Sequence, residues 1–466
     1  MKNNRRDFLR TSALGGFALC AGRVTSYGNN DVAGKKDKIH IPEKQGKSVM
    51  GLRCEPLSVV RIAVIGLGRG GSAVYRLARI EGAQVVVIDD VVSERVASSQ
   101  KSLKEAGRPE AIEYSKEDDW KKICERDDID LIYTATPWKL HVPIALYAME
   151  HGKHVAVEVP AALTIDDCWA LVDTAEKTQR HCMMLENCCY DFFELTTLNM
   201  VRHGLLGDII HGECAYLHDL RYQMEPNDKF HFWRLNYYKE HTGNPYPTHG
   251  LGPISQIMGI NHGDRMDYLT SMSTNQFGMS LYAEKTYGKD SVQAKTNYKL
   301  GDMNTTVVKT VNGKTIMIQH NVTSPRPYDR IHKLNGTKGY AVKYPEPKIA
   351  LEPDAHEFID AEKFEGLMGE YEHPLAKYIG QAAKKVGGHG GMDYIMDWRL
   401  IYCLRNGYPL DQTVYDAATW SSIVELSERS VLSESKSVKV PDFTRGEWEK
   451  ANPLPVIDMD KVLYRL

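Results

Sequence analysis

Arg61-Ile-Ala-Val-Ile-Gly66-Leu-Gly68-Arg69-Gly70-Gly71 is an apolar strand that runs directly into Gly66-x-Gly68-x-x-Gly71. A second apolar strand, Gln84-Val-Val-Val-Ile-Asp89-Asp90, follows about twenty residues later, the spacing of a dinucleotide fingerprint. In this context Gly66 permits the tight turn and Gly68 lets the backbone approach a pyrophosphate. Gly71 lets the next helix pack on the strand, and the amino end of that helix stabilises the phosphates. An acid closing the second strand binds the adenosine ribose and repels a 2′-phosphate, so NAD is expected rather than NADP. Strand geometry favours Asp89 over Asp90 for that role.

Outward from the fingerprint, the alternation of strands and helices continues. Asp130 to Ala135, Lys153 to Glu158 and Cys182 to Asn187 read as buried strands. His141 to His151 and Ile165 to Thr178 have helical periodicity. The pattern is that of an α/β doubly wound parallel sheet, a Rossmann domain over 58–190, with ligands at the carboxyl ends of the strands. Trp138, His141, Glu158 and Asn187 fall at or just beyond such ends. After about residue 191 the pattern becomes a helix from Leu195 to His203 and then strands over Ile209–Leu217, Val307–Val311 and Thr315–Asn321. A two-residue hairpin is expected at Asn312-Gly313. Residues 191–466 are expected to form a substrate-binding α+β domain with a mixed, mostly antiparallel sheet, closed by a helix over Val414–Val431.

The amino terminus reads as an address. Arg5-Arg6 precedes the short, mildly apolar run Thr11 to Ala21, the arrangement of a twin-arginine export signal over 1–22. Residues 23–57 are expected to be a linker. Leu19 before Cys20 disfavours lipoprotein processing, so a periplasmic protein is expected in preference to a lipid-anchored one. Twin-arginine export moves folded proteins and suits a cofactor loaded before export. The 466 residues carry a net charge of only -3 and give no electrostatic case for nucleic acid or anionic membrane. The nine cysteines contain no Cys-x-x-Cys, and no metal site is expected. Cys188-Cys189 is read as buried filler rather than a disulfide. Oligomeric state is left open, a homo-oligomer included.

The Rossmann half, Thr136-Pro137-Trp138-x-x-His141 and Lys153-His-Val-x-x-Glu158-x-Pro160 resemble the glucose–fructose oxidoreductase/inositol dehydrogenase superfamily. More closely, Glu158-Val159-Pro160, Met184-Leu-Glu-Asn187-x-x-Tyr190 and Tyr246-Pro-Thr-His249-Gly-Leu-Gly-Pro253 resemble glycoside hydrolase family 109, NAD-dependent alpha-N-acetylgalactosaminidases. The chain departs from the parent dehydrogenases in having Val159 where they carry lysine. Pro253 stands at their usual histidine.

The resemblance implies a glycosidase that does not use the usual two carboxylates. Tightly bound, recycled NAD oxidises sugar C3, loss of the C2 proton expels the aglycone, water adds at C1 and C3 is reduced again, with retention. It implies His249 at the C3 hydroxyl, Tyr190 or Tyr246 at C2 if a nearby cation or NAD+ lowers the phenol pKa, and Glu158 among the catalytic groups. Gly66, Gly68, Arg69, Gly70, Gly71, Asp89, Trp138, Lys139, Leu140, His141, Glu158, Val159 and Asn187 are the implied cofactor contacts. Tyr216, Arg234, Tyr246, Pro247, Thr248, His249 and Tyr328 are the implied contacts to a glycoside or glycan. From the residues alone, an exported sugar oxidoreductase and a noncatalytic sugar-binding protein stay open.

Overall fold

The computed structural model of the protein describes residues 42–44, 46–224 and 232–457. The expected export signal lies outside the described residues. Among the described residues no helix is long and apolar enough to cross a membrane.

Six strands form the first sheet: β1 (Val60–Ile65), β2 (Ala83–Asp89), β3 (Ile112–Tyr114), β4 (Leu131–Thr134), β5 (His154–Val157) and β6 (Cys182–Met184). All pair in parallel in the order β3-β2-β1-β4-β5-β6. β4, β5 and β6 are buried at every position, which explains their uninterrupted apolar reading. The strand order reverses between β1 and β4, and a crevice opens beyond their carboxyl ends. Gly66 sits there with φ 85°, and a Cβ on it would lie 2.8 Å from the backbone of Ala135. No side chain fits that turn. The close helix–strand contact expected of Gly71 belongs instead to Gly70. A Cβ on Gly70 would meet Val64 at 3.0 Å, whereas one on Gly71 would meet only Ser99 of the next helix, at 3.7 Å.

The second sheet comprises β7 (Ile209–Leu217), β8 (Met266–Ser273), β9 (Asn304–Thr310), β10 (Thr315–Asn321), β11 (Lys333–Gly336), β12 (Gly339–Val342), β13 (Lys348–Leu351) and β14 (Val438–Lys439). Its order is β13-β12-β11-β7-β10-β9-β8-β14; only β7 and β10 are parallel neighbours. The β9–β10 hairpin exists, but its loop has three residues, Val311 to Gly313. Thr310 and Lys314 close it, and positive φ is needed only at Gly313. The helix Thr248–Met258 lies so close on β7 that a Cβ on Gly250 would stand 2.4 Å from the Ala215 amide nitrogen. That contact fixes His249, the residue before it.

Part of the expected linker is packed. Val49 is buried, its amide donates to the Tyr415 hydroxyl, and the Leu57 amide donates to the Leu404 carbonyl. Tyr415 belongs to the helix Val414–Leu432, which packs on both the Rossmann helix Ile165–Thr178 and β8. The Cys188 and Cys189 side chains are buried free thiols.

The guanidinium of Arg330 is fully buried and donates to Asp191 and, at 2.6 Å, to Glu194. Lys343 donates to the same two acids at 2.6 Å. Burial alone would raise the Glu194 carboxyl, but Lys343 and Arg330 outweigh it and bring it to about 2. Its folded value is therefore depressed. The stability it contributes is complete above the unfolded carboxyl value of about 4.3 and is lost as pH falls toward about 2. Arg330→Met leaves buried negative charge underpaired and is expected to cost roughly 3–5 kcal/mol at neutral pH. Denaturant unfolding at pH 7 and pH 3 checks both statements: the variant's deficit shrinks at the lower pH.

Candidate functional site

The glycine loop opens the helix Leu67–Leu77, whose first-turn amides face the crevice. The carboxylate that reaches this loop is Asp90, not Asp89. Asp90 accepts from the Leu67 amide at 2.6 Å and pairs with Arg95 at 3.1 Å. Asp89, the last residue of β2, lies against Asp119 instead. Burial, then the charges of Asp119 and Asp90, push it up to about 7. The sequence offered two adjacent acids, and the end of the strand pleat decides which one faces the loop. A turn closed to side chains, exposed backbone at Gly68, a helix amino end and an acid beside it make a cradle that fits a dinucleotide.

Arg69 extends from this loop to Glu158, at 3.3 Å, and to Asp393, at 3.0 Å. Asp393 opens the helix Met392–Asn406 and is fully buried. It also pairs with Arg76 and His389 and accepts from the Asn187 amide. One helical turn on, Asp397 accepts from Arg76 at 2.7 Å and from the Tyr133 hydroxyl of β4 at 3.2 Å. Glu158 is thus held at the end of β5 by Arg69 of the glycine loop, and Asn187 beyond β6 by Asp393 from far along the chain.

Beside them stands an aromatic cluster. The Tyr246 ring stacks on Trp138 at 5.9 Å and lies 4.8 Å from Tyr216 and 5.0 Å from His249. Tyr328 meets Tyr216 edge-on at 6.1 Å. The Arg234 guanidinium lies 5.3 Å from the Tyr246 ring and 5.4 Å from Trp138, and Trp233 and Tyr237 complete the wall around Trp138. His249 Nδ1 is 2.7 Å from Glu186 Oε1. Burial would raise the Glu186 carboxyl, but the His249 charge and hydrogen bond prevail and hold it below its ordinary value. An ionised Glu186 makes Nδ1 the donor, which leaves Nε2 as the ring nitrogen that can gain or lose a proton. The Cys188 amide also donates to Glu186 Oε1, and donor atoms of Glu186, Cys188 and His249 lie within 4.8 Å of one another.

The structure therefore brings together Trp138, Glu158, Asn187, Tyr216, Arg234, Tyr246, His249 and Tyr328. It takes Tyr190 elsewhere: its hydroxyl donates to Asp411, which Arg399 clamps with two hydrogen bonds, in a fully buried setting. The expected cation beside Tyr246 is present as Arg234, yet burial outweighs it and the phenol is held well above its ordinary value. Lys139 is exposed and Leu140 half-buried in a short turn. His141 is buried, with both ring nitrogens 2.9 Å from backbone carbonyls, of Pro160 and Thr136. Val159 accepts from the Trp138 indole at 3.2 Å, and Pro247 and Thr248 are buried at the start of the His249 helix. An open groove of about 660 Å³ beside β12 and β13 contains none of these residues. Sequence reasoning missed Glu186, Asp393, Trp233 and Tyr237. For Glu186 a signal existed, since it adjoins Asn187 at a strand's carboxyl end; for Asp393 there was none.

Residues 60–186 match the oxidoreductase family, NAD-binding Rossmann fold, so this segment is an NAD-binding domain. Residues 190–450 match the glycosyl hydrolase 109, C-terminal domain. The chain is 55% identical over 409 residues to an alpha-N-acetylgalactosaminidase of Bacteroides fragilis, covering 87% of this chain and 96% of the relative. It is 46% identical over 463 residues to a glycosyl hydrolase family 109 protein of Shewanella amazonensis, covering 98% and 99%. Among solved structures, levoglucosan dehydrogenase in complex with NADH and levoglucosan has a TM-score of 0.60 at 19% identity, covering 82% of this chain and 99% of that one, and shares the fold. The chain is a glycoside hydrolase and belongs to glycosyl hydrolase family 109.

Proposed function

We propose that this glycoside hydrolase releases alpha-linked N-acetylgalactosamine, with retention, using NAD that stays bound and is restored at every turnover. One observation carries the reading: both acids of the cluster are already committed, Glu186 to His249 and Glu158 to Arg69. A pair of carboxylates free to act as acid and nucleophile, the ordinary glycosidase arrangement, is not what these two acids offer. The sugar specificity is supported by the 55% identical relative named for that activity. Export through the twin-arginine machinery to the periplasm is part of the same proposal and rests on Arg5-Arg6. Such a route carries a folded, loaded protein outward.

Asp90 is the group placed to hold the adenosine ribose, and the Gly66–Gly71 loop the diphosphate. NAD+ in this cradle supplies reversible hydride acceptance at sugar C3, which acidifies the C2 proton and leaves no net redox change. The chain's own residues move the protons. His249 Nε2 accepts the C3 hydroxyl proton, and Glu186 behind it stabilises the imidazolium. Tyr246 is held protonated by its burial, so it delivers a proton to the departing glycosidic oxygen, while the C2 proton passes to solvent water and is replaced from solvent when water adds at C1 and returns a proton to Tyr246. Trp138, Tyr216 and Tyr328 offer apolar faces to the sugar, and Arg234 offers a planar donor.

Hydrolysis in heavy water is expected to place deuterium at C2 of the released sugar. Full retention of hydrogen there, read by NMR, rules the proposed chemistry out. Tyr246→Phe is expected to lose about a hundred- to ten-thousand-fold in kcat on a disaccharide. It is expected to lose far less on a nitrophenyl glycoside, whose leaving group needs no proton; equal losses on both remove Tyr246 as the acid. For the cofactor, Asp90→Asn is expected to lower the dinucleotide retained through purification, while Asp89→Asn leaves it near wild type. The dinucleotide released on denaturation measures the difference, and the reverse ranking returns the ribose role to Asp89.

A further inference from the structure

Three donors of different chemistry meet at the edge of the site: the Glu186 carboxylate, the Cys188 thiol and a ring nitrogen of His249, all within 4.8 Å of one another. Glu186 and Cys188 are buried, and the His249 side chain is 15% exposed, so the group opens only on the His249 side. A second observation points to a ligand here. Glu186 Oε2 is fully enclosed and lacks a well-formed hydrogen bond, although the Thr248 hydroxyl lies beside the carboxylate. A buried anionic oxygen left in that state is costly, and a cation is a natural complement.

We propose that Glu186, Cys188 and His249 form an inhibitory site for a thiophilic divalent cation, zinc being the type. Carboxylate, thiolate and imidazole are the ligands that zinc takes, at about 2.0–2.3 Å. Tetrahedral bonds of that length require donors about 3.3–3.8 Å apart. The present separations, 2.7 Å between His249 and Glu186 and at most 4.8 Å elsewhere, bracket that range. Entry of the ion replaces the His249–Glu186 hydrogen bond, and the open side of His249 leaves a fourth position for water. Charge also closes: a dication meets one carboxylate, one thiolate and a neutral imidazole. Burial, with the charges of Glu186, Glu194 and Asp191, holds the Cys188 thiol well above its ordinary value although Arg330 lies near it, so the thiolate forms only as the metal binds. The thiol releases its proton to solvent, and the Nδ1 proton of His249 passes to Nε2.

That tautomer change is why the site is inhibitory. With Nδ1 bound to the metal, Nε2 carries a proton and cannot accept one from the sugar. The inhibition rests on the proposed role of His249, whereas the binding does not.

The test uses the full-length, cofactor-loaded protein titrated with Co²⁺, with Zn²⁺ as competitor. One equivalent of Co²⁺ is expected to produce a thiolate-to-cobalt absorption band that Zn²⁺ abolishes. Cys188→Ser is expected to remove the band and Cys189→Ser to retain it, and Glu186→Gln weakens it through an independent ligand. In turnover, Zn²⁺ is expected to inhibit at least tenfold, reversibly with a chelator, and Cys188→Ser to need at least tenfold more Zn²⁺ for the same effect. No band in the wild type, or a band undiminished in Cys188→Ser, overturns the site. A cobalt band with turnover unchanged upholds the site and overturns His249 as the proton acceptor.

Discussion

The buried carboxylate of Asp393 is the constraint on which the cofactor groove depends. Its partners are Arg69 of the glycine loop, Arg76 one helical stretch later, Asn187 at the end of β6 and His389. A charge with almost no exposure is tolerable only when such donors surround it. The requirement acts in both directions. Asp393 orders the groove by fixing the Arg69 guanidinium and the Asn187 amide, and the groove in turn anchors the helix Met392–Asn406. Glu158 then follows as a consequence, since Arg69 holds it as well.

The second pairing, His249 with Glu186, has the same logic applied to proton transfer. A histidine on a helix start gains a defined tautomer only when one ring nitrogen is spent on a fixed partner. Here the partner comes from the first sheet and the histidine from a helix on the second, brought down by the close approach of Gly250 to β7. The reactive cluster therefore exists only when the two sheets are docked. Rigid aromatic rings around Trp138 and Tyr246 supply shape, while Glu186 and Glu158 are held in pairs with His249 and Arg69.

Adjacent or repeated residue types marked where reading from sequence reached its limit. Asp89 and Asp90 are chemically identical, and only the exit angle of β2 turns one to the glycine loop and the other to Asp119. Tyr190 and Tyr246 each stand in a motif-like block. One is consumed by the Asp411–Arg399 ion pair and the other faces the cluster. Residues 23–57 read as a linker, yet Val49 and Leu57 find buried partners on the last helices.

The sequence by itself determined what depends on local chemistry and period. The parallel sheet was legible because apolar runs alternate with helical periodicity, and the dinucleotide cradle because φ 85° and the contact with Ala135 admit glycine alone at position 66. His249 and Tyr246 were legible as candidates because their block resembles that of a known family. Tertiary structure alone decided the partnerships: Glu186 behind His249 across 63 positions, and Asp393 behind Arg69 across 324. The physical reason is that an ion pair or hydrogen bond between distant residues leaves no periodic trace in the chain. It is specified only by the burial that makes leaving either group unpaired too costly.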